Sequence, residues 1–323
     1  MRTKTSRVLL AVLLAFGLLA AACGSDDDDD GGTASGDTTD DQASEVEGTD
    51  GPTIQFVPQD FAESETLTQV YAQYLEAQGF DVAVQDASGF RDQVYPLLEA
   101  GDADVIIDYT GSAARFLVPD TEASPEADEM YDQLTEALTE TSAEARDYAE
   151  AEDANALVVL ASFADDNDLE TISDLAEIGD QVVFGSSAEC VEREDCLLGY
   201  TDPEIYGFEF ARTVVVDYGP PLAEGLRSGE LDAVQYQTTA PEIESGDFVV
   251  LEDDQGLLQA DNIVPIVRSE LLGEYDDALV DAFNDVSDSL TTEDLVGWNV
   301  RTDIDKEDSS VVAEEWLSEE GLV

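Results

Sequence analysis

From residue 53 onward, short apolar runs alternate with amphipathic stretches of helical spacing, and this alternation limits the fold more than any other feature of the chain. Ile54–Val57 reads as a strand. Asp60 is placed to cap a helix, with Glu63 three residues later in the capping-box position. Leu67, Val70, Tyr71, Tyr74 and Leu75 follow at helical spacing, and Gly79 ends the helix. Val82–Gln85 is a second strand, Arg91–Ala100 a helix closed by Gly101, and Val105–Asp108 a third strand. Residues 125–150 read as one or two acidic helices. Beyond Asp153 come strands at Leu157–Leu160, Val182–Gly185, Val214–Val216, Leu231–Gln235, Phe248–Leu251 and Ile263–Val267, with a helix over Ile172–Ile178 introduced by Thr171. Strands alternating with helices predict an α/β fold with largely parallel sheets. Ligands of such sheets sit beyond the carboxyl ends of the strands. No internal repeat and no phosphate-cradling glycine loop is present.

The first 52 residues do not join this pattern. Arg2, Lys4 and Arg7 precede an apolar run, Val8–Ala22, which ends in Leu19-Ala20-Ala21-Ala22-Cys23. That is the layout of a secretory signal, with an apolar stretch too short to span a bilayer comfortably. Cys23 after Ala-Ala looks like the lipobox of bacterial lipoproteins, although Ala20 stands where that motif usually has Leu. The resemblance implies lipidation of Cys23 and a membrane-anchored protein on the extracellular face of the cell membrane, or the periplasmic side where an outer membrane exists. Two acyl chains anchor stably where one does not. The alternative is an ordinary signal peptide with an incidental cysteine. Residues 23–52, with Asp26 to Asp30 and many Gly, Ser and Thr, read as a self-repelling tether.

Charge narrows the partners. The chain carries 77 acidic and 12 basic residues and no histidine, for a formal net charge of −65. With 43% hydrophobic residues, the acidic excess coats a folded protein. Such a surface repels nucleic acid and anionic lipid, so neither is a partner. It also implies adaptation to salt, since screening lengths fall from about 10 Å at 0.1 M to about 3 Å at 1 M. The lack of histidine removes the commonest general base, which argues against many hydrolases but not against an enzyme built on carboxylates alone. Cys190 and Cys196, in Cys-x5-Cys spacing in an exported chain, read as a small-loop disulfide ahead of a metal pair. No catalytic residue, metal site or cofactor is expected, and the protein is expected to be a monomer.

Strand ends are where a site is sought. Val105-Ile106-Ile107-Asp108 runs into Tyr109-Thr110-Gly111-Ser112, and Leu231-Asp232-Ala233-Val234-Gln235 into Tyr236-Gln237-Thr238-Thr239. The two tyrosines suggest opposing walls of a cleft, though a strand-end tyrosine equally serves packing. Arg193 can clamp a carboxylate with parallel hydrogen bonds, or simply pair with Glu189 or Glu194 at the surface.

Segment 54–117, with Phe56-Val57-Pro58-Gln59-Asp60-Phe61-Ala62-Glu63, Leu98-Glu99-Ala100-Gly101-Asp102-Ala103-Asp104 and Tyr109-Thr110-Gly111, resembles the glycine betaine/choline/carnitine-binding proteins of osmoprotectant ABC transporters. Leu226-Arg227-Ser228-Gly229-Glu230-Leu231-Asp232-Ala233-Val234 and Val264-Pro265-Ile266-Val267-Arg268 continue the resemblance in the family's order. It implies a two-lobe, periplasmic-binding-protein-like fold of type II, with two hinge crossovers and a ligand cleft between the lobes. Residues 53–155 and 261–323 would form lobe 1 and residues 156–260 lobe 2. It further implies a tyrosine cage around a quaternary ammonium, delivery of the solute to membrane permease subunits, and no enzymatic activity. Family positions fall on Tyr109, Ser112 and Tyr236, and the carboxylate-binding Glu and Arg fall on Glu189 and Arg193. Two further cage tyrosines fall on Asn155, close to Asp153, and on Asp261, and a polar position often held by Lys falls on Gln59. Losing two rings would cost roughly 1–4 kcal/mol, about 10- to 1,000-fold in affinity. Asp153 and Asp261 would offset part of this by attraction to a cation. They equally fit a different small polar solute carried by the same fold.

Overall fold

The structure, a computed structural model, is described for residues 49–323 except Glu189 and Asp276. The leader, Cys23, nearly all of the acidic tether and Glu189 lie outside the described residues. Among the described residues, ten strands form two five-stranded sheets. The first contains β1 (Ile54–Phe56), β2 (Val82–Val84), β3 (Val105–Tyr109), β4 (Ala143–Ala145) and β10 (Ile263–Arg268), in the order β2-β1-β3-β10-β4. The second contains β5 (Asn155–Leu160), β6 (Val183–Ser186), β7 (Arg212–Val215), β8 (Ala233–Gln237) and β9 (Phe248–Val250), in the order β7-β6-β8-β5-β9.

The sheets are mixed where the sequence pattern predicts largely parallel ones. β1 runs parallel to β2 and β3, and β6 parallel to β7 and β8. β10 is antiparallel to β3 and β4, and β5 is antiparallel to β8 and β9. The exceptions have one cause. Parallel neighbours require a crossover that returns the chain to its starting edge. β5 and β10 instead enter their sheets directly from the other sheet. The two crossing segments lie side by side, through an antiparallel bridge between Glu152 and Asn262 and a hydrogen bond from Asp153 N to Asp261 O at 3.0 Å.

Each sheet buries apolar side chains on both faces. In the first lobe, Leu67, Val70 and Tyr71 of helix Ala62–Gln78 meet Phe283 and Trp316 of the C-terminal helices, and Met130 and Leu134 cover the opposite face. The chain is engaged before β1 begins, since the Tyr275 hydroxyl donates to the Pro52 carbonyl. Helix stops follow the glycines: Gly79 and Gly101 adopt φ of 101° and 75°, which favour a residue without Cβ. Thr171 and Asp174 form a capping box. One local expectation fails: Phe61, not Asp60, occupies the N-cap of helix Ala62–Gln78, and Glu63 turns inward to be buried. Residues 125–150 hold one helix, Ala127–Leu138, as expected, followed by the unannounced β4, whose Ala-Glu-Ala carries too little apolar signal to mark a strand. Cys190 and Cys196 are joined in a disulfide.

Candidate functional site

A cavity of about 620 Å³ opens between the two sheets, around the crossing segments. The first lobe contributes Gln59 and Phe61 from the end of β1, Phe90 and Arg91 from the start of helix Arg91–Ala100, and Tyr109 and Ser112 from the end of β3. Asn299 and Asp303 reach it from the C-terminal helices. The crossing segments add Asp153, Asn155 and Asp261, and the second lobe adds Arg193, Tyr218, Gln237 and Thr239. Seven residues singled out in the sequence therefore share one cavity: Gln59, Tyr109, Ser112, Asp153, Asn155, Arg193 and Asp261.

Tyr236 is not among the lining residues. It is 1% exposed, and its hydroxyl donates to the Gly219 carbonyl at 2.5 Å. Tyr218 lines the cavity instead, edge-on against Tyr236 with ring centroids 5.4 Å apart. The reason is strand parity. Gln235 and Gln237 hydrogen-bond Asn155 and Asp153, so they share the face that borders the crossing segments, and Tyr236 points the other way. With Phe61, Phe90 and Tyr109, Tyr218 makes four rings on the wall. Phe61 stacks on both Phe90 and Tyr109, at 6.5 and 6.3 Å.

Buried acids lie among these rings. The Tyr109 hydroxyl donates to Glu63 Oε1 at 2.7 Å, and Asn299 Nδ2 donates to Glu63 Oε2. Asn299 Nδ2 also donates to the Thr239 carbonyl of the second lobe at 3.0 Å, linking the lobes through the cavity wall. Asp153 accepts from Thr239 Oγ1 at 2.7 Å and from Gln237 Nε2 at 3.0 Å. Asp261 accepts from Ser112 N and Oγ at 2.7 and 2.6 Å. Burial pushes the Glu63 carboxyl above its ordinary range, against the pull of Tyr109 and Asn299. Burial also raises Asp153, with the Glu63 charge adding to it. Asp261 is raised by burial although Ser112 opposes the rise. The cavity thus holds carboxyl groups that gain by meeting a cation.

Arginines line the same cavity, and the Arg91 guanidinium stands 6.0 Å from the centroid of the Tyr109 ring. Arg91 is bound to Asp108 through Nη2 at 2.6 Å and Nε at 3.1 Å. Arg193 makes a two-pronged contact with Asp195, Nε to Oδ1 at 2.9 Å and Nη2 to Oδ2 at 2.5 Å. Asn155 Nδ2 also donates to Asp195 Oδ2, at 3.1 Å. Burial pushes the Asp195 carboxyl up, but Arg193 and Arg115 outweigh it and hold it below its ordinary range. Sequence reasoning missed Glu63 as a site residue, along with Phe61, Phe90, Arg91, Tyr218 and Asn299. Tyr218 carried a usable signal, since it follows a strand end as Tyr109 does. Among the described residues no group of His, Cys, Asp or Glu is placed to hold a metal ion.

Two mixed sheets joined by paired crossing segments, with a polar, ring-lined cavity between them, define a two-lobe solute-binding protein. The chain belongs to the family described as the substrate binding domain of the ABC-type glycine betaine transport system, whose model matches residues 52–319. It is 24% identical over 295 residues to the glycine-betaine-binding protein of Pseudomonas aeruginosa, covering 84% of this chain and 89% of that one. It is 25% identical over 271 residues to the glycine betaine-binding protein YehZ of Escherichia coli, covering 80% and 88%. Its fold matches the crystal structure of a glycine betaine/carnitine/choline ABC transporter with a TM-score of 0.76 at 19% identity, over 83% of this chain and 99% of that one. The resemblance read from the sequence therefore holds, and the family consists of transporter binding proteins, not enzymes.

Proposed function

We propose that the protein is the extracytoplasmic binding component of an ABC importer that captures a quaternary-ammonium solute of the glycine betaine, choline and carnitine class and delivers it to its permease. The observation that carries this reading is the joint lining of one cavity by Phe61, Phe90, Tyr109 and Tyr218 with Glu63, Asp153 and Asp261. A quaternary ammonium donates no hydrogen bond, so it is held by ring faces, at ~0.5–2 kcal/mol each, and by nearby negative charge. Phe61, Phe90 and Tyr218 supply rings beside Tyr109, where Asn155 and Asp261 supply none. Capture would close the lobes about the crossing segments, with Asn299 and Thr239 as contacts across the cleft.

The leader and Cys23 support lipid anchoring outside the cell, with the acidic segment as tether and the protein acting as a monomer. Among the described residues no helix is long and apolar enough to cross a membrane. Thermal unfolding of the protein with each solute tests the ligand class. A solute at 100 times its Kd should stabilise the fold by about 2.7 kcal/mol. No upward shift with any quaternary ammonium would sink the ligand assignment. For the anchor, Cys23→Ser should release the protein from the membrane fraction, and retention there would contradict it.

A further inference from the structure

The disulfide between Cys190 and Cys196 closes a loop whose interior residues reach the cleft. Arg193 lines the ring-lined cavity, and Asp195 lines an adjoining cavity of about 600 Å³ that shares Phe90, Arg91, Ser112 and Arg193 with it. Both cysteines are buried in the apolar core of the second lobe, so the loop is pinned from beneath. It is also folded closely onto the helix that follows, Leu197–Thr201: a Cβ on Gly199 would stand 2.2 Å from the Glu194 carbonyl oxygen.

Asp195 ties this loop to the rest of the molecule. It is 2% exposed and accepts from Arg193 within the loop and from Asn155 of the crossing segment. Arg115 of the first lobe meets the same carboxylate at 3.5 Å. Among the described residues Arg115 forms no other ion pair, and its Nε is buried without a hydrogen-bond partner. This contact between lobes therefore depends on where the loop holds one carboxylate. Without the sulfur link, only hydrogen bonds and packing would offset the entropy of ordering the loop.

We propose that Cys190 and Cys196 are positioning residues for solute capture: their disulfide holds Asp195 where Arg115 of the opposite lobe meets it, and this latch favours closed lobes. The proposal rests on the reading of the ring-lined cavity as the solute site. A contact made only with the lobes together raises the population of the closed form, and apparent affinity scales with that population. A dithiol reductant undoes the latch. Its electron pair breaks the S–S bond, each cysteine sulfur takes a proton, and the reductant closes into its own disulfide.

Choline is the probe, since it carries no anionic group for an arginine to bind. Its Kd is measured by calorimetric titration of the full chain, oxidised, reduced with dithiothreitol, and as Cys190→Ala/Cys196→Ala, each with Arg115 and with Arg115→Gln. Small-angle X-ray scattering gives the radius of gyration of the same samples without solute. Loss of the disulfide, or Arg115→Gln alone, should weaken choline about 3- to 10-fold and enlarge the radius of gyration. The two changes together should cost less than about twofold beyond either alone, because they remove the same contact. Full additivity would show that the disulfide acts apart from Arg115 and would overturn the proposal. Unchanged affinity and radius on losing the disulfide would overturn it as well. If the alanine pair does not fold, Asp195→Asn in the oxidised chain must reproduce the loss, and wild-type affinity there would refute the latch. If the oxidised wild type binds no choline, the solute reading fails and the scattering comparison alone decides the latch.

Discussion

Glu63→Gln removes one negative charge from the cavity while nearly preserving its shape, and its consequences follow from the wall that Glu63 helps to build. A quaternary ammonium seated against the Tyr109 ring stands about 5–6 Å from the Glu63 carboxyl, where an effective dielectric near 20 gives an attraction of about 3 kcal/mol. Part of this is spent on ionising a carboxyl that burial holds above its ordinary value of 4.5. The net loss in the variant is therefore about 1–2 kcal/mol, or roughly 5- to 30-fold in Kd. The glutamine still accepts from the Tyr109 hydroxyl, but its amide opposes Asn299 Nδ2, which costs about 1 kcal/mol of stability for the lost hydrogen bond. Titration with choline between pH 5 and pH 8 is the assay. Wild-type affinity should rise with pH as the buried acids ionise, and the variant should be weaker with a flatter profile. A variant that matches the wild type in both affinity and pH slope would refute the role of Glu63 as counter-ion.

The remaining expectations concern the rings, the acids and the surface. Tyr218→Ala should weaken every quaternary ammonium about 3- to 30-fold, whereas Tyr236→Leu, which removes a buried ring that does not line the cavity, should leave the affinity of the folded protein within about twofold. The reverse ranking in a titration would show that Tyr236 is the cage ring. Glu63, Asp153 and Asp261 all have raised carboxyl values in the folded state, so their contribution to stability is complete below about pH 4 and is lost as pH rises through the raised values. Without ligand, this contribution to the melting temperature should fall with rising pH, and the triple replacement by Gln and Asn should flatten it; an unchanged profile would count against the shifts. Gly111→Ala should destabilise strongly, because a Cβ there would lie 2.6 Å from the Ala260 carbonyl oxygen; a Tm within a degree of wild type would refute this. A formal charge of −65 should make Tm rise between low and molar salt, and a flat response would remove the case for salt adaptation.

The parts of the fold legible in the sequence are those governed by local rules. Gly79 and Gly101 end helices through backbone freedom, and Thr171 with Asp174 starts one through paired side-chain bonds. Tyr109 and Ser112 were legible as site residues because a buried apolar strand runs directly into a helix N-terminus there. What was not legible depends on partners distant in sequence. The direction of β5 and β10 is set by how the chain crosses between sheets, which no periodicity records. Tyr236 is turned away from the cavity by the parity of β8, and Tyr218 packs edge-on against it from the segment after β7. Glu63 reads as a capping residue until Tyr109 and Asn299, the latter 236 positions away, close around it.

The most direct test of the central claim is a crystal structure of the protein with bound glycine betaine. The trimethylammonium should lie among Tyr109, Tyr218, Glu63 and Asp153. A trimethylammonium that touches none of these residues, or a solute bound outside the cleft, would contradict the account.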